Sequence, residues 1–421
     1  MAGYTTSFES VEATDDQTVV IQLTDPIPNI ESQLVFMFIL PSHIWSAYDN
    51  DKAAEFENLN LIGSGPFSLV EYKQGESVHM TRYDGYFGTG PKINDVVFQT
   101  FSNQDALVQA LKTGQVDMIT EMPNTAVAGL KNDPNIKVVT GAPFAPDVTD
   151  ILINQIAPEN CPEGSTCTGH PALRDINVRQ ALAYATDKQE LIDIVLLGFG
   201  TKGLTLIPDS LGQWYNNTIQ DYPFDIAKAN QLLDDAGYKD TDGDGIRQMP
   251  DGSNPLIFRL NWGSDSTVAP RLAELVSNTW AKIGIKTQMQ ALDPDALSSI
   301  CCPTFDYDLI IWGWGSDPDP SFLLSVMRTD EIPTGMSETG YSNPDYDTLF
   351  DEQSKELDPA KRKEIVWKMQ EILHQDVVHI IPFYSKAVQA YRTDRFTGWI
   401  TNANKLALED ISSLLVIEPV K

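Results

Sequence analysis

Two indoles and two carboxylates crowd the segment Trp312-Gly-Trp-Gly-Ser-Asp-Pro-Asp-Pro-Ser-Phe-Leu323, which directly follows the apolar run Tyr307 to Ile311. A strand that runs into Gly, Trp, Asp and Pro has the composition of a ligand rim rather than of a solvated turn. Paired carboxylates such as Asp317 and Asp319 can do acid/base work. Alternate residues of an extended chain point to opposite sides, however, and Pro318 and Pro320 stiffen this one, so binding or capping outweighs catalysis here. Trp312, at the end of a buried run, reads as core. Trp314 lies between glycines that let a ligand approach closely and reads as cleft lining.

Elsewhere the chemistry is sparse. The five histidines, His43, His79, His170, His374 and His379, form no H-E-x-x-H, and no serine sits in G-x-S-x-G. Gly198-Phe-Gly-Thr-Lys-Gly203 matches G-x-G-x-x-G, but a helical pattern precedes it where the dinucleotide motif needs a strand, so it reads as a helix stop and loop. Asp240-Thr-Asp-Gly-Asp-Gly245 resembles the start of a calcium loop, with Asp240, Asp242 and Asp244 as the alternating carboxylates. The hydrophobe comes one position early at Ile246, and the twelfth position is Asp251 rather than Glu. An exposed Asp/Gly turn is the plainer reading, with a structural calcium ion as the alternative and no cofactor required.

Cys161 and Cys167 bracket a short Gly/Pro loop and are expected to form a disulfide, which points to an oxidising compartment. The adjacent Cys301 and Cys302 could bridge or stay reduced, and spacing does not decide. No histidine lies near either pair, which argues against zinc.

The elements that must position these residues follow from pattern. Residues 17–24 and 91–101 read as strands, with a hairpin region near Gly65-Pro66 between them. Ser102 with Asp105 suggests a capping box for a helix stopped at Gly114. Helices are expected over 178–197, restarting near Asp187, and over 226–236. Strand 256–262, helix 268–283, the Gly284 stop and strand 285–289 make a β-α-β unit. Strand 307–312 then leads into the Trp/Asp motif, at the carboxyl end of a strand where ligands of α/β sheets sit. A helix capped by Asp358-Pro359 runs to about His374, and strands 378–384 and 414–417 close the chain.

The chain has 421 residues, more than one ordinary core, and its 59 acidic against 29 basic residues give a net charge of -30. Phosphate backbones and anionic lipid are poor partners for such a surface, so nucleic acid is excluded. No apolar run is long enough to span a bilayer; the longest, Leu34 to Leu40, reads as a short buried segment. The first residues lack the pattern of a signal peptide.

Several segments in order resemble the oligopeptide/dipeptide family of extracellular solute-binding proteins, family 5, which serve ABC importers. They are Ile62-Gly-Ser-Gly-Pro-Phe-Ser-Leu-Val-Glu-Tyr72, Arg82-Tyr-Asp-Gly-Tyr-Phe-Gly88, Gln109 to Asp117, Leu173-Arg-Asp-Ile-Asn-Val-Arg-Gln-Ala-Leu-Ala-Tyr-Ala-Thr-Asp187, Ala227 to Tyr238, Trp312-Gly-Trp314 and Tyr341 to Asp347. The resemblance implies an α/β, two-lobed periplasmic-binding-protein fold of the type II, Venus-flytrap kind, closing on its ligand. Residues 1–153 with 385–421 would be the first lobe and 154–384 the second. Members normally carry a secretion signal and a first-lobe subdomain upstream of what corresponds to Val11, so the chain is expected to be a fragment with its first lobe incomplete.

The family's binders imply that Asp317 takes a peptide's α-ammonium, with Trp314 beside it. The resemblance further implies a monomer with membrane permease subunits as partners. It also implies a periplasmic or cell-surface location, with a lipoprotein anchor as one form. An oligosaccharide or nickel chelate as ligand is the alternative, and a hydrolase using Asp317 and Asp319 the remote one.

Overall fold

The computed structural model describes residues 7–48 and 50–420. The chain divides into two compact units, Met1–Leu34 with Ala145–Ser385 and Val35–Phe144 with Lys386–Lys421. The first crossing thus falls near 144 rather than near 153, the second falls at Ser385, within a residue of its expected place, and the described part of the first 34 residues joins the larger unit. The reason is the strand Asp147–Ile153, which lies inside the larger unit's sheet. Among residues 7–34, β1 (Phe8–Ala13) and β2 (Val19–Leu23) form an antiparallel hairpin.

The run expected to be buried after Leu34 is not: Val35, Phe38, Ile39 and Leu40 are exposed. It leaves the helix Ile30–Leu34 as irregular chain and enters no sheet among the described residues. In the smaller unit β3 (Phe67–Lys73), β4 (Ser77–Arg82) and β5 (Asp95–Gln99) form an antiparallel meander. The strand expected over 91–101 is thus confined to its centre. The helix Gln104–Thr113 is capped by Asn103, whose Oδ1 accepts the Ala106 N–H at 2.8 Å, and not by Ser102. Gly114, at φ 75°, ends it in the left-handed conformation that glycine adopts without strain. Next come β6 (Met118–Ile119) and β7 (Ile136–Gly141).

The larger unit is built on β8 (Asp147–Ile153), β9 (Gly200–Lys202), β10 (Ile257–Gly263), β11 (Lys286–Leu292), β12 (Leu309–Gly315) and β13 (His379–Ser385), in the order β11-β10-β12-β8-β13-β9. Strands β11, β10 and β12 are parallel neighbours, while β8 runs antiparallel to both of its neighbours, β12 and β13. Short β9 pairs with the edge of β13 in the segment expected to be loop. The helix between β10 and β11, Ala269–Trp280, completes the expected β-α-β unit.

Strand parity sorts the core into layers. Ile151, Ile153, Leu309 and Ile311 face one side, against the helices Ile176–Tyr184, Lys188–Val195, Ile226–Asp235 and Ala269–Trp280. Trp280 is fully buried there, and its Nε1–H reaches Leu182 O and Thr186 Oγ1, each at 3.2 Å. On the other side Leu152 and Ile310 meet Leu297, Cys301, Phe305 and Tyr307. Val148 packs there with Ile381 and with side chains of the helices Pro344–Gln353 and Pro359–Gln375.

After Ser385 the chain returns to the smaller unit as β14 (Ala387–Arg392), between β6 and β7. No strand forms over 414–417: Leu414 ends the helix Ile411–Leu414, capped by Asp410 through the Ser412 N–H at 2.9 Å, and a two-residue strand, Glu418–Pro419, follows the turn.

Buried Asn154 fixes where β12 begins: its Nδ2 donates to Phe305 O at 3.0 Å and Tyr307 O at 2.7 Å. Asn154→Leu would leave both carbonyls without this donor, at roughly 1–3 kcal/mol each. At about 2–4 °C per kcal/mol, the melting temperature should fall by about 5–15 °C in differential scanning calorimetry; a fall below 2 °C would show that these bonds do not hold the strand.

Candidate functional site

The Trp/Asp motif is carried by the β8–β12 ladder, which pairs Trp312 with Asp150, Gly313 with Thr149 and Trp314 with Val148. Directly opposed residues of an antiparallel pair share a face, so both tryptophans stand on the side of Val148, Asp150 and Leu152. Gly313 is required by proximity, since a Cβ there would lie 2.8 Å from the Val148 carbonyl oxygen. Ser316 then ties the strand's end to β8, donating both N–H and Oγ–H to Pro146 O at 2.8 Å.

Beyond Ser316 the two aspartates part company. Asp319 is buried and gripped by Arg362, whose Nη1 and Nη2 donate to its two oxygens at 2.6 and 2.8 Å. It also accepts the Ser321 N–H at 2.9 Å and Asn29 Nδ2 at 3.2 Å. Arg362 itself is buried, stacks on Trp214 at 4.8 Å, and donates from Nε to Gln353. Burial pushes the Asp319 carboxyl up, but the hydrogen bonds and charge of Arg362 outweigh it and hold the group below its ordinary value.

Asp317, two residues earlier, is only partly buried and has no hydrogen-bond or ion-pair partner among the described residues. Partial desolvation, reinforced by the Asp319 charge, moves its carboxyl above the ordinary value. A carboxylate with this exposure and no counter-charge can accept a cation from outside.

The indoles divide their roles differently from the expectation. Trp312, read as core, is only half-buried and lines a groove with Thr149, Gly263, Asp265, Ser266 and Leu297 at the carboxyl ends of β10 and β12. Trp314 is also half-buried. Its Nε1–H donates to Glu338 Oε2 at 2.7 Å, and its ring meets Phe322 edge-on at 5.5 Å. Both rings therefore have a buried side and an open one.

Asp150 and Glu338 escaped the sequence reading, although an aspartate in the apolar run Asp147–Ile153 was a visible anomaly. Asp150 is fully buried, and neither carboxyl oxygen accepts a hydrogen bond from another of the described residues. Burial pushes it up to about 7. Glu338, also buried, is raised by desolvation and by the charge of Asp150. Charged forms of two such acids are expensive to bury, so burial shifts both towards the protonated form.

The other expected sites are formed by other segments of the chain. Asp240, Asp242 and Asp244 bring carboxylate oxygens within 4.8 Å of one another on an exposed turn, without Asp251. The Asp240 carboxylate already accepts the N–H groups of Gly243 and Gly245 at 2.7 and 2.9 Å. Calcium takes six to eight oxygens; this turn's acids would supply three, and backbone carbonyls or water the rest. Cys161 and Cys167 are joined in a disulfide. The loop they close is tethered by Cys167 N–H to Thr304 O at 3.0 Å.

The family model of bacterial extracellular solute-binding proteins, family 5 (middle), matches residues 1–333. The chain belongs to that family. It is 29% identical to the oligopeptide-binding protein AppA of Bacillus subtilis over 81% of this chain and 60% of AppA. It is 28% identical to heme-binding protein A of Haemophilus influenzae over 89% of this chain and 65% of that protein. The chain thus spans less than two thirds of either relative. Among solved structures, AppA in complex with a nonapeptide aligns with TM-score 0.76 and 24% identity, covering 99% of this chain and 79% of AppA. A periplasmic oligopeptide-binding protein of an oligopeptide ABC transporter from Thermotoga maritima aligns with TM-score 0.83 and 22% identity, over 98% and 80% of the two chains. The fold is that of the family's two-lobed periplasmic binding proteins, and the family model bears out the family 5 resemblance of the sequence. No helix among the described residues is long and apolar enough to cross a membrane.

Two stability predictions follow from the acids of this family member. Arg362→Met leaves Asp319 buried without its partner and should cost about 3–5 kcal/mol in urea denaturation at pH 7; a cost under 1 kcal/mol would mean the fork does not anchor the loop. Asp150 has its folded-state value raised from 3.8 to about 7. Its contribution to stability is therefore complete below about pH 4 and is lost as pH rises towards 7. Asp150→Asn removes that dependence, so the variant's melting temperature should gain on the wild type by several degrees between pH 4.5 and pH 8 (about 2–4 °C per kcal/mol). A constant difference across that range would contradict the raised value.

Proposed function

We propose that this chain is the non-catalytic, extracytoplasmic binding component of an ABC-type peptide importer, and that Asp317 holds the α-ammonium of a bound peptide. The observation that carries this reading is the partly buried, unpaired Asp317 carboxylate on a loop anchored by the neighbouring Asp319–Arg362 fork. A charge-assisted hydrogen bond from an ammonium to such a group sets peptide register. The open sides of Trp314 and Trp312 offer apolar surface to the first side chains. The oligopeptide-binding names of AppA and of the Thermotoga protein support the substrate class.

The partners in this reading are the importer's membrane permease subunits, with the binding protein acting as a monomer, periplasmic or anchored at the cell surface as a lipoprotein. A different small solute on the same fold, such as a nickel chelate or an oligosaccharide, is the second reading. It is favoured by the heme-binding name of one relative and by the stacking capacity of the two indoles.

Titration calorimetry with free and N-acetylated tri- to pentapeptides tests the proposal. Acetylation should weaken binding by about tenfold or more, consistent with a lost charged hydrogen bond of about 1.5–3 kcal/mol. Asp317→Asn should bring the two forms to within about threefold. Equal affinity of wild type for both forms would remove Asp317 from the role, and a carried ligand that is not a peptide, seen by native mass spectrometry, would favour the second reading.

A further inference from the structure

Cys301 ends the helix Pro294–Cys301 and is fully buried, while Cys302 follows in extended conformation, half-buried. Their sulfurs stand 2.8 Å apart. That is well inside the roughly 3.5–4.0 Å at which non-bonded heavy atoms rest, and within about 1 Å of the S–S bond length of ~2.05 Å. The same chain already carries the Cys161–Cys167 disulfide, and a chain that holds one structural disulfide resides where thiols are oxidised.

The two cysteine pairs are also neighbours. Cys167 and Cys302 both pack against the cluster of Leu152, Cys301, Phe305 and Tyr307, and Thr168 N–H donates to Phe305 O at 3.1 Å. Trp312 packs against this cluster too.

We propose that Cys301 and Cys302 are a second redox site that closes to a vicinal disulfide in the protein's own compartment. The hydrogen bond between the thiols raises Cys301, with burial adding to it, and lowers Cys302, so the more accessible sulfur is the better nucleophile. The Cys302 thiolate attacks one sulfur of an external disulfide, that of a thiol oxidoreductase or a small-molecule disulfide, and expels the other as a thiol. Cys301 then gives up its proton, attacks Cys302 Sγ and expels the second thiol. Two protein thiols are oxidised and one external disulfide is reduced to two thiols. A ring between adjacent residues closes the shortest of loops, so it adds little chain-entropy stabilisation; its effect is local, at the end of the helix Pro294–Cys301.

The test counts thiols in the full chain and does not depend on the peptide reading. Protein equilibrated in a glutathione/glutathione-disulfide buffer is quenched with acid, denatured with N-ethylmaleimide and weighed intact, then digested with pepsin and mapped. No adduct is expected, with the peptide containing both Cys301 and Cys302 two hydrogens lighter than its reduced form. Two adducts on Cys301 and Cys302 would overturn the proposal, as would a peptide linking Cys302 to Cys161 or Cys167. The double variant Cys161→Ser/Cys167→Ser, treated alike, should again take up no maleimide; two adducts there would also overturn it. Should that variant fail to fold, the wild-type digest decides.

Discussion

A buried guanidinium–carboxylate fork, Arg362 on Asp319, is the constraint on which the candidate site depends. Burying either charge alone would be costly, so each holds the other in place, and Gln353, Ser321 and Asn29 satisfy the hydrogen-bonding capacity that remains. The fork joins the helix Pro359–Gln375 to the loop after β12 and so fixes the chain two residues beyond Asp317. Asp317 can then remain unpaired without the loop collapsing onto a counter-charge. The free carboxylate is stable in its position because its neighbour is not free.

The second constraint is parity in the β8–β12 ladder. One register sends Ile151, Ile153, Leu309 and Ile311 to one core and Asp150, Trp312 and Trp314 to the other face. A slip by one residue would bury neither set correctly. The same register sets buried Asp150 opposite Trp312, and the Trp314–Glu338 hydrogen bond lies on the same face. The site's electrostatics follow from this arrangement: one acid paired, one open, and two whose carboxyls burial pushes up.

Much of this fold was legible in the residues. Caps and stops announced the helices: Asp187, Asp358 and Gly284 sit where the chain's local chemistry says they should. Local signals failed where two were equivalent or where packing overrode pattern. Ser102 and Asn103 are both cap formers, and only the backbone direction chose Asn103. The apolar stretch at Leu414–Ile417 satisfies a strand pattern, but Asp410 captured the N–H of Ser412 and made a helical turn. The apolar run after Leu34 was assigned to a core by composition alone, and its exposure depends on which elements pass nearby, something no local pattern contains.

By itself, the sequence determined the family, the α/β class and the residues able to meet an ammonium, because these rest on order along the chain and on side-chain chemistry. Tertiary structure alone revealed the physical difference between Asp317 and Asp319, a guanidinium from a helix over forty residues downstream that pairs with Asp319. It also placed Trp312 in a groove, exposed Asp150 as an unpaired buried acid, and set the sulfurs of Cys301 and Cys302 against each other. Each of those outcomes depends on which distant atoms share a volume, and spacing along a chain does not contain that distance.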